Sequence, residues 1–312
     1  MPQNAQLGYV GHVSFDSTKI RATTADIRVT QTVDKPDVVD GKVDKTVYQL
    51  GPKEVGGTVG FPGIHEDGTG VIRTLWDYTL QRASNGQMLH YSNIDVKYAN
   101  GVGYRYPNCM LDSFEWNVTH EDIVNITINV IGTTRTDIGS FTEPSYNFRN
   151  SRIVTWNDAV VELYSVASGG NPSVESAEVR SFTATVANNG ARYFTLNGSM
   201  FPNPQAIAPT KRDIDGSIVI MGRSPFLKDQ AFTNQDRCNE KSAVRFGYTI
   251  TDAAGECPGS FTVRIPGVVF EIEELSLSND LFETTVNWHA LPGITYGDSG
   301  LDTTFVEGSG AS

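Results

Sequence analysis

The stretch Lys53-Glu54-Val55-Gly56-Gly57-Thr58-Val59-Gly60-Phe61-Pro62-Gly63 can be laid on Arg212-Asp213-Ile214-Asp215-Gly216-Ser217-Ile218-Val219-Ile220-Met221-Gly222, and eight of the eleven positions are identical or conservative. The offset between them is 159 residues. The same offset returns far downstream, where Pro107 meets Pro266, Leu111 meets Phe270, Glu115 meets Glu274 and Val118 meets Leu277. After a slip of one residue, Asp122 meets Asp280, Thr127 meets Thr285 and Asn129 meets Asn287. Two blocks at one offset point to a tandem duplication. The expected division is a first domain over 8–133, a linker over 134–151, a second domain over 152–291 and a Gly/Ser-rich tail over 292–312.

Both halves are written mainly in strands. Residues 26–33 alternate apolar and polar at period two, the pattern of a half-buried strand. Ile94, Val96 and Tyr98 alternate up to Asn100-Gly101, and Tyr104 and Tyr106 continue beyond it. Asn-Gly between two such runs signals a tight hairpin, because both turn residues need positive φ. Residues 123–131, 178–186, 214–221, 246–250 and 261–265 read as further strands. One segment departs from this pattern. Val71, Ile72, Leu75, Trp76, Thr79 and Leu80 recur at three- and four-residue spacing, which makes one face of a helix. Thr69 is its N-cap candidate and Asn85-Gly86 its stop. A weaker helix candidate covers 225–233. The expected class is mainly β (α+β), with a helix laid against the sheet of each half.

Each half also carries a long insertion between its paired strands. The first, 34–52, interleaves Asp34, Asp37, Asp40 and Asp44 with Lys35, Lys42 and Lys45, and ends near Tyr48. The second, 187–211, opens with Asn188 and Asn189, continues through Arg192 and Tyr193, and is richer in Asn and Pro. Compact domains seldom keep loops of this length without a use. Solvated surface hairpins and docking arms that reach a neighbouring subunit both fit.

The chain has 312 residues, which at ~150 residues per domain agrees with two. It carries 36 acids and 24 bases, a formal net charge of −12. That balance argues against a general nucleic-acid binder, which needs a basic face. No apolar run approaches the ~18 residues of a transmembrane helix. Residues 1–6 lack a basic region followed by an apolar one, so no secretory signal is expected. Three cysteines (Cys109, Cys238, Cys257) and five histidines (His12, His65, His90, His120, His289) are scattered, without CxxC or HExxH spacing.

No motif of catalysis or cofactor binding is present: there is no GxSxG, P-loop or dinucleotide fingerprint. His65-Glu66-Asp67 lies just before the helix, where acids complement the helix dipole. Glu271 and Glu273 alternate with Phe270 and Ile272, and so read as the wet face of a strand, with Glu274 beside them. Cys109 occupies an apolar position and reads as packed. No enzyme activity, cofactor or metal is expected.

The residues Arg21-Ala22-Thr23-Thr24-Ala25-Asp26-Ile27-Arg28, and then Asp37-Val38-Val39-Asp40-Gly41-Lys42-Val43-Asp44-Lys45-Thr46-Val47-Tyr48-Gln49-Leu50-Gly51-Pro52-Lys53, resemble the opening of tail tube proteins of tailed bacteriophages. The second half, with Val179-Arg180-Ser181-Phe182-Thr183-Ala184-Thr185-Val186-Ala187-Asn188-Asn189 and 211–218, resembles a second tube domain. The resemblance covers roughly 8–291. It implies two tandem β-sandwich domains, each with a flanking helix, whose inner sheets join those of neighbours into a closed β-barrel tube. Two tube domains per chain imply a trimeric, pseudo-hexameric ring, stacked with copies of itself in the virion tail after assembly in the host bacterial cytoplasm. The implied partners are other copies of the chain, the tape measure protein and phage DNA in the lumen, with sheath, baseplate and tail-terminator proteins as further ones. No membrane insertion is implied. On this pattern 34–52 and 187–211 contact the adjacent subunit or the next ring.

The net charge then suggests a mechanism. DNA carries about one phosphate charge per ~1.7 Å of duplex axis, and a basic lumen would trap it through released counterions. An acidic lumen repels it near the wall, within a screening length of ~8 Å. Asp26, Glu54, Glu178 and Asp213, on strand positions opposite the apolar face, are the lumen candidates. Two alternatives remain at this point: a tail-terminator or baseplate ring of the same machine, and a ligand-binding surface β-sandwich.

Overall fold

Alternating apolar residues dictate strands, and strands account for nearly every element of the computed structural model. It describes residues 10–34, 49–66, 70–80, 91–98, 102–139, 151–166, 172–175, 179–195, 203–221, 242–251, 258–272, 283–290 and 302–306. The elements of the first half are β1 (Val10–Phe15), β2 (Thr18–Ile20), β3 (Thr24–Asp34), β4 (Gln49–Pro62), β5 (Ile64–Glu66), α1 (Val71–Thr79), β6 (Ser92–Tyr98), β7 (Gly103–Thr119), β8 (Asn125–Gly132) and β9 (Thr136–Ile138). Those of the second are β10 (Ser151–Ile153), β11 (Ala159–Val166), β12 (Pro172–Glu175), β13 (Val179–Ala187), β14 (Gly190–Tyr193), β15 (Ala206–Pro209), β16 (Asp213–Met221), β17 (Ser242–Ile250), β18 (Gly259–Pro266), β19 (Val268–Ile272), β20 (Glu283–Ala290) and β21 (Asp302–Val306).

Two four-stranded blocks repeat one pairing order. The first runs β3-β4-β8-β7 and the second β13-β16-β20-β19, all antiparallel. Register agrees as well as order. Thr58 faces Asp26 on one side and Asn129 on the other, while Ser217 faces Thr183 and Asn287. The blocks join where β7 pairs with β13, from Ser113↔Ala187 to Thr119↔Ser181. The result is a continuous run of eight strands, with β3 at one end and β19 at the other.

The outer strands repeat too. β2-β1-β6 continues into the first part of β7 with β9 at its far side, and β12-β11-β17-β18-β21 has the same plan. The chain turns from outer to inner layer at matched corners. Pro107 is followed by Asn108 at φ 52°, and Pro266 by Gly267 at φ 63°. Both left-handed positions hold residue types that tolerate positive φ. Beyond the Pro107 corner, β7 simply continues into the inner sheet. Segments 134–151 and 292–312, read from sequence as linker and tail, thus contain β9 and β21. Their short Thr/Asp-rich runs carry too little apolar alternation to announce a strand.

The inner faces meet in one core. Trp116 of β7 packs against Phe246, Tyr248 and Phe261 of the second outer sheet, with ring centroids 5.9, 6.4 and 6.2 Å apart. Phe182 of β13 lies 5.3 Å from Phe246. The helix presents Ile72, Leu75, Trp76 and Thr79 to this core, as its periodicity requires. Its N-cap is Gly70 at φ 51° without a side-chain cap, a correction to the Thr69 candidate. Thr74 instead closes the first turn, its Oγ1 donating to the Gly70 carbonyl at 3.0 Å. The helix ends at Thr79, ahead of Asn85-Gly86. Those two residues, the hairpin turn 99–101 and the helix candidate 225–233 lie outside the described residues.

The opening alignment has a steric reason at Gly57 and Gly216. A β-carbon at Gly57 would collide with the Asp26 carbonyl, and one at Gly216 with the Thr183 carbonyl and the Trp288 ring. Backbone cannot yield as a side-chain tip can, and overpacking typically costs ~1–3 kcal/mol. Gly57→Ala and Gly216→Ala are each expected to lower stability by about that amount in a denaturant melt. Gly216→Ala should suffer more, because Trp288 must move as well.

Candidate functional site: a polar sheet face and a folded-back arm

Period-two alternation gives the eight-stranded sheet one apolar and one polar face. Val55, Val59, Ile126, Ile128, Phe114, Trp116, Phe182, Ala184, Ile218 and Val286 point into the core. Opposite them stands a surface of Thr, Ser and Asn. Thr58 Oγ1 donates to Asn129 Oδ1 at 3.0 Å, and Asn129 Nδ2 donates to Ser113 Oγ at 2.7 Å. Thr183 and Ser217 hydroxyls share a 2.9 Å bond in the second block.

Three of the four acids expected on this face are there, namely Asp26, Glu54 and Asp213; Glu178 lies outside the described residues. Each of the three has a basic neighbour. Arg28 grips Asp26 with two 2.5 Å bonds, Arg192 lies 3.7 Å from Glu54, and Lys211 lies 2.6 Å from Asp213. The Lys211 hydrogen bond holds the Asp213 carboxyl below the usual carboxylate range. Glu271, read from sequence as the wet face of its strand, shares this face by register, as do Glu115, Asp215 and Glu283, which the sequence reading missed. Glu283 pairs with Arg180, and Glu271 lies 3.6 Å from His289. Among the described residues Glu115 and Asp215 have no ion pair. They face Thr185 from its two sides, on neighbouring strands. Burial pushes the Asp215 carboxyl up, only partly offset by His289. Strict alternation along β7 and β16 was the signal that could have found both.

The arm residues divide sharply. Asn188 is fully buried. Its Nδ2 donates to the carbonyls of Thr79 and Leu111 at 2.8 and 3.0 Å, and its Oδ1 accepts from Arg212 Nε at 3.0 Å. It pins the end of α1 to β7, so its expected role at a contact between chains is corrected: a side chain with no accessible surface cannot meet a neighbour. Asn189, at φ 48°, donates to the Lys211 carbonyl and to Asp213. Arg192 reaches the Val55 carbonyl at 2.5 Å, and so also binds its own chain. Tyr193 is half exposed. Asp34 ends β3 opposite Gln49. Asp37, Asp40, Lys42, Asp44, Lys45 and Tyr48 lie outside the described residues.

The second arm therefore folds back as the hairpin β14-β15 over the first block. Its Ile207 buries Met110 and Ile131, and Tyr91 donates its hydroxyl to the Ile207 carbonyl. Gly190 sits directly on Met110 and Ile131, and its N–H donates to Asp112 Oδ1 at 2.6 Å.

Of the residues singled out as chemical candidates, Asp67, Glu273, Glu274, Cys238 and Cys257 lie outside the described residues, while His65 and Cys109 are packed in the core. His65 is buried, with Nδ1 3.0 Å from the Tyr248 hydroxyl. Cys109 is a buried thiol that burial pushes up to about 12, far from a reactive thiolate. Among the described residues no group of three His, Cys, Asp or Glu could hold a metal, and no helix is long and apolar enough to cross a membrane. Replacing Asn188 by Ala would take this donor from two carbonyls and the acceptor from Arg212 Nε, while Arg212 Nη2 keeps the Leu80 carbonyl at 3.1 Å. At ~1–3 kcal/mol for each of these three lost partners, a loss of roughly 3 kcal/mol or more is expected in a denaturant melt.

No curated protein matches this chain. A polar, acid-bearing sheet whose end strands β3 and β19 have no outer neighbour among the described residues is what a subunit of a larger β-structure presents, and the family comparison agrees. Matching the phage tail tube protein family over residues 3–290, the chain belongs to that family.

Proposed function

We propose that this chain is a two-domain tube subunit that forms trimeric rings, stacked into the tail tube through which phage DNA leaves the virion. The observation that carries this reading is the junction of β7 with β13. Within one chain, the last strand of the first block pairs with the first strand of the second. The counterparts of those two strands, β19 and β3, are the free ends of the eight-stranded run. Joining β19 of one protomer to β3 of the next repeats a pairing the chain already makes. Three protomers contribute eight inner strands each, so the ring closes at twenty-four and leaves no edge. That is wider than the ~16–18-stranded barrels that already hold an aqueous channel. The domain division 8–133 and 152–291 follows the same repeat, with β9 and β21 closing the outer sheets beyond those bounds.

In this ring the polar face lines the lumen. Its Thr, Ser and Asn groups offer DNA no dense cationic surface, and Glu115 and Asp215 supply unbalanced negative charge. A conduit of this kind encloses DNA without a deep binding minimum. Tape measure protein and DNA are its lumen partners, and sheath, baseplate and terminator proteins its neighbours along the tail. Assembly takes place in the host cytoplasm.

Electron microscopy of the purified protein at high concentration tests the assembly: stacked hollow rings with threefold symmetry are expected. Single rings that never stack would favour a terminator, and persistent monomers would overturn the ring altogether. The retained acid is tested separately. Burial raises the folded pKa of Asp215 above its unfolded value, so its charge costs stability once pH rises through that folded pKa. Below the unfolded pKa there is no such cost. Asp215→Asn is therefore expected to raise Tm at pH 7 and leave it unchanged near pH 3.

A further inference from the structure

The repeat has one asymmetry that points outward. In the first block Met110 and Ile131 form a cross-strand pair on the polar face, and both are buried, 0 and 8% exposed, beneath the chain's own arm. In the second block the same position is taken by Val269 paired with His289. Nothing among the described residues covers that pair: Val269 is 40% exposed and the His289 side chain 51%.

The arms themselves correspond in register. β13 and β16 pair up to Ala187↔Asp213, and the hairpin resumes at Gly190↔Pro209 and Ala191↔Ala208. β3 and β4 pair up to Gln31↔Lys53, break, and resume at Val33↔Leu50 and Asp34↔Gln49. Val33 thus stands where Gly190 stands in the second arm. Gly190 is the residue that touches Met110 and Ile131, while Val33 is 52% exposed.

We propose that Val269 and His289 form the docking surface for the first arm of a second copy of this chain, with Val33 of that copy seated on the pair. The inference rests on the ring reading above, since pairing of β19 with a neighbour's β3 brings that neighbour's arm over β19 and β20. Side-chain size supports it. Within the chain a glycine meets bulky Met110, for a β-carbon at position 190 would run into Ile131 and Met110. Between chains a valine would meet the smaller Val269. The side chain gained on the arm, Val33 for Gly190, is matched by one lost from the sheet, Val269 for Met110, as close packing requires. Two exposed valines then bury each other, and burial of apolar surface drives association.

The test uses the full-length chain. Val33→Cys and Val269→Cys are made singly, and the two proteins are mixed, assembled and mildly oxidised. A covalent dimer on a non-reducing gel, absent when either variant is oxidised alone, is the expected result. As a second readout, the thiol introduced by Val269→Cys should react with a maleimide before assembly and be protected at least tenfold in the tube. Strand pairing at the β19 edge does not by itself shield a side chain on the sheet face. Val269→Asp should leave the monomer's Tm unchanged and abolish tube formation. Tubes that form but give no cross-link and leave the introduced thiol reactive overturn the docking surface while the ring stands. A wild-type protein that forms no rings overturns the ring instead.

Discussion

The pairing of β7 with β13 is the constraint on which the rest depends. Seven consecutive residue pairs tie the two blocks into one sheet. Side chains alternate with period two, so a slip of one residue would turn Phe182, Ala184 and Val186 out of the core and put Thr183 and Thr185 in their place. Trp116 and Phe182, on the two sides of this seam, both pack on Phe246, so the second outer sheet sits across the junction. The seam fixes which strands remain open, which face is polar and where the second arm can reach.

A repeated unit meets its own copy differently inside a chain and at its ends. Inside, β13 completes β7 and the β14-β15 arm covers Met110 and Ile131. At the ends β3, β19, Val33 and Val269 keep the corresponding surfaces without the corresponding partner among the described residues. Covalent linkage has satisfied half of the contacts that a repeating assembly needs. On the proposed ring reading the other half comes from a second copy, and closed symmetry is the arrangement in which no surface is left over.

Polar groups on the sheet face follow a different logic from those in the arm. Asn188 is buried and its amide group fully used, so it specifies one position of the arm. Glu115 and Asp215 make no ion pair among the described residues, and burial disfavours the Asp215 charge. Such a charge contributes nothing to the fold of one chain; on the proposed ring reading its value would lie in the field it creates in the channel.

Much of this was readable in the residues. Alternation identified β3, β6, β8, β13, β16, β17 and β18, three- and four-residue spacing identified α1, and the offset of 159 paired Pro107 with Pro266 at what proved to be matched corners. Asn129 and Asn287 emerged as equivalents, and both lie opposite the small hydroxyl residue of the repeated stretch. Strands β9 and β21 were not readable, because their stability comes from pairing at the edge of a formed sheet. The role of Asn188 was not readable either, since its partners Thr79 and Leu111 are 109 and 77 residues away. The sequence by itself determined the β-rich class, the duplication and the acidic balance, because these rest on periodicity, identity and composition along the chain. Only the tertiary structure decided that the two blocks fuse through β7 and β13, which acids share a face, and that the second arm is docked on the first block while Val269 is exposed among the described residues. Those depend on long-range register, which local sequence does not encode.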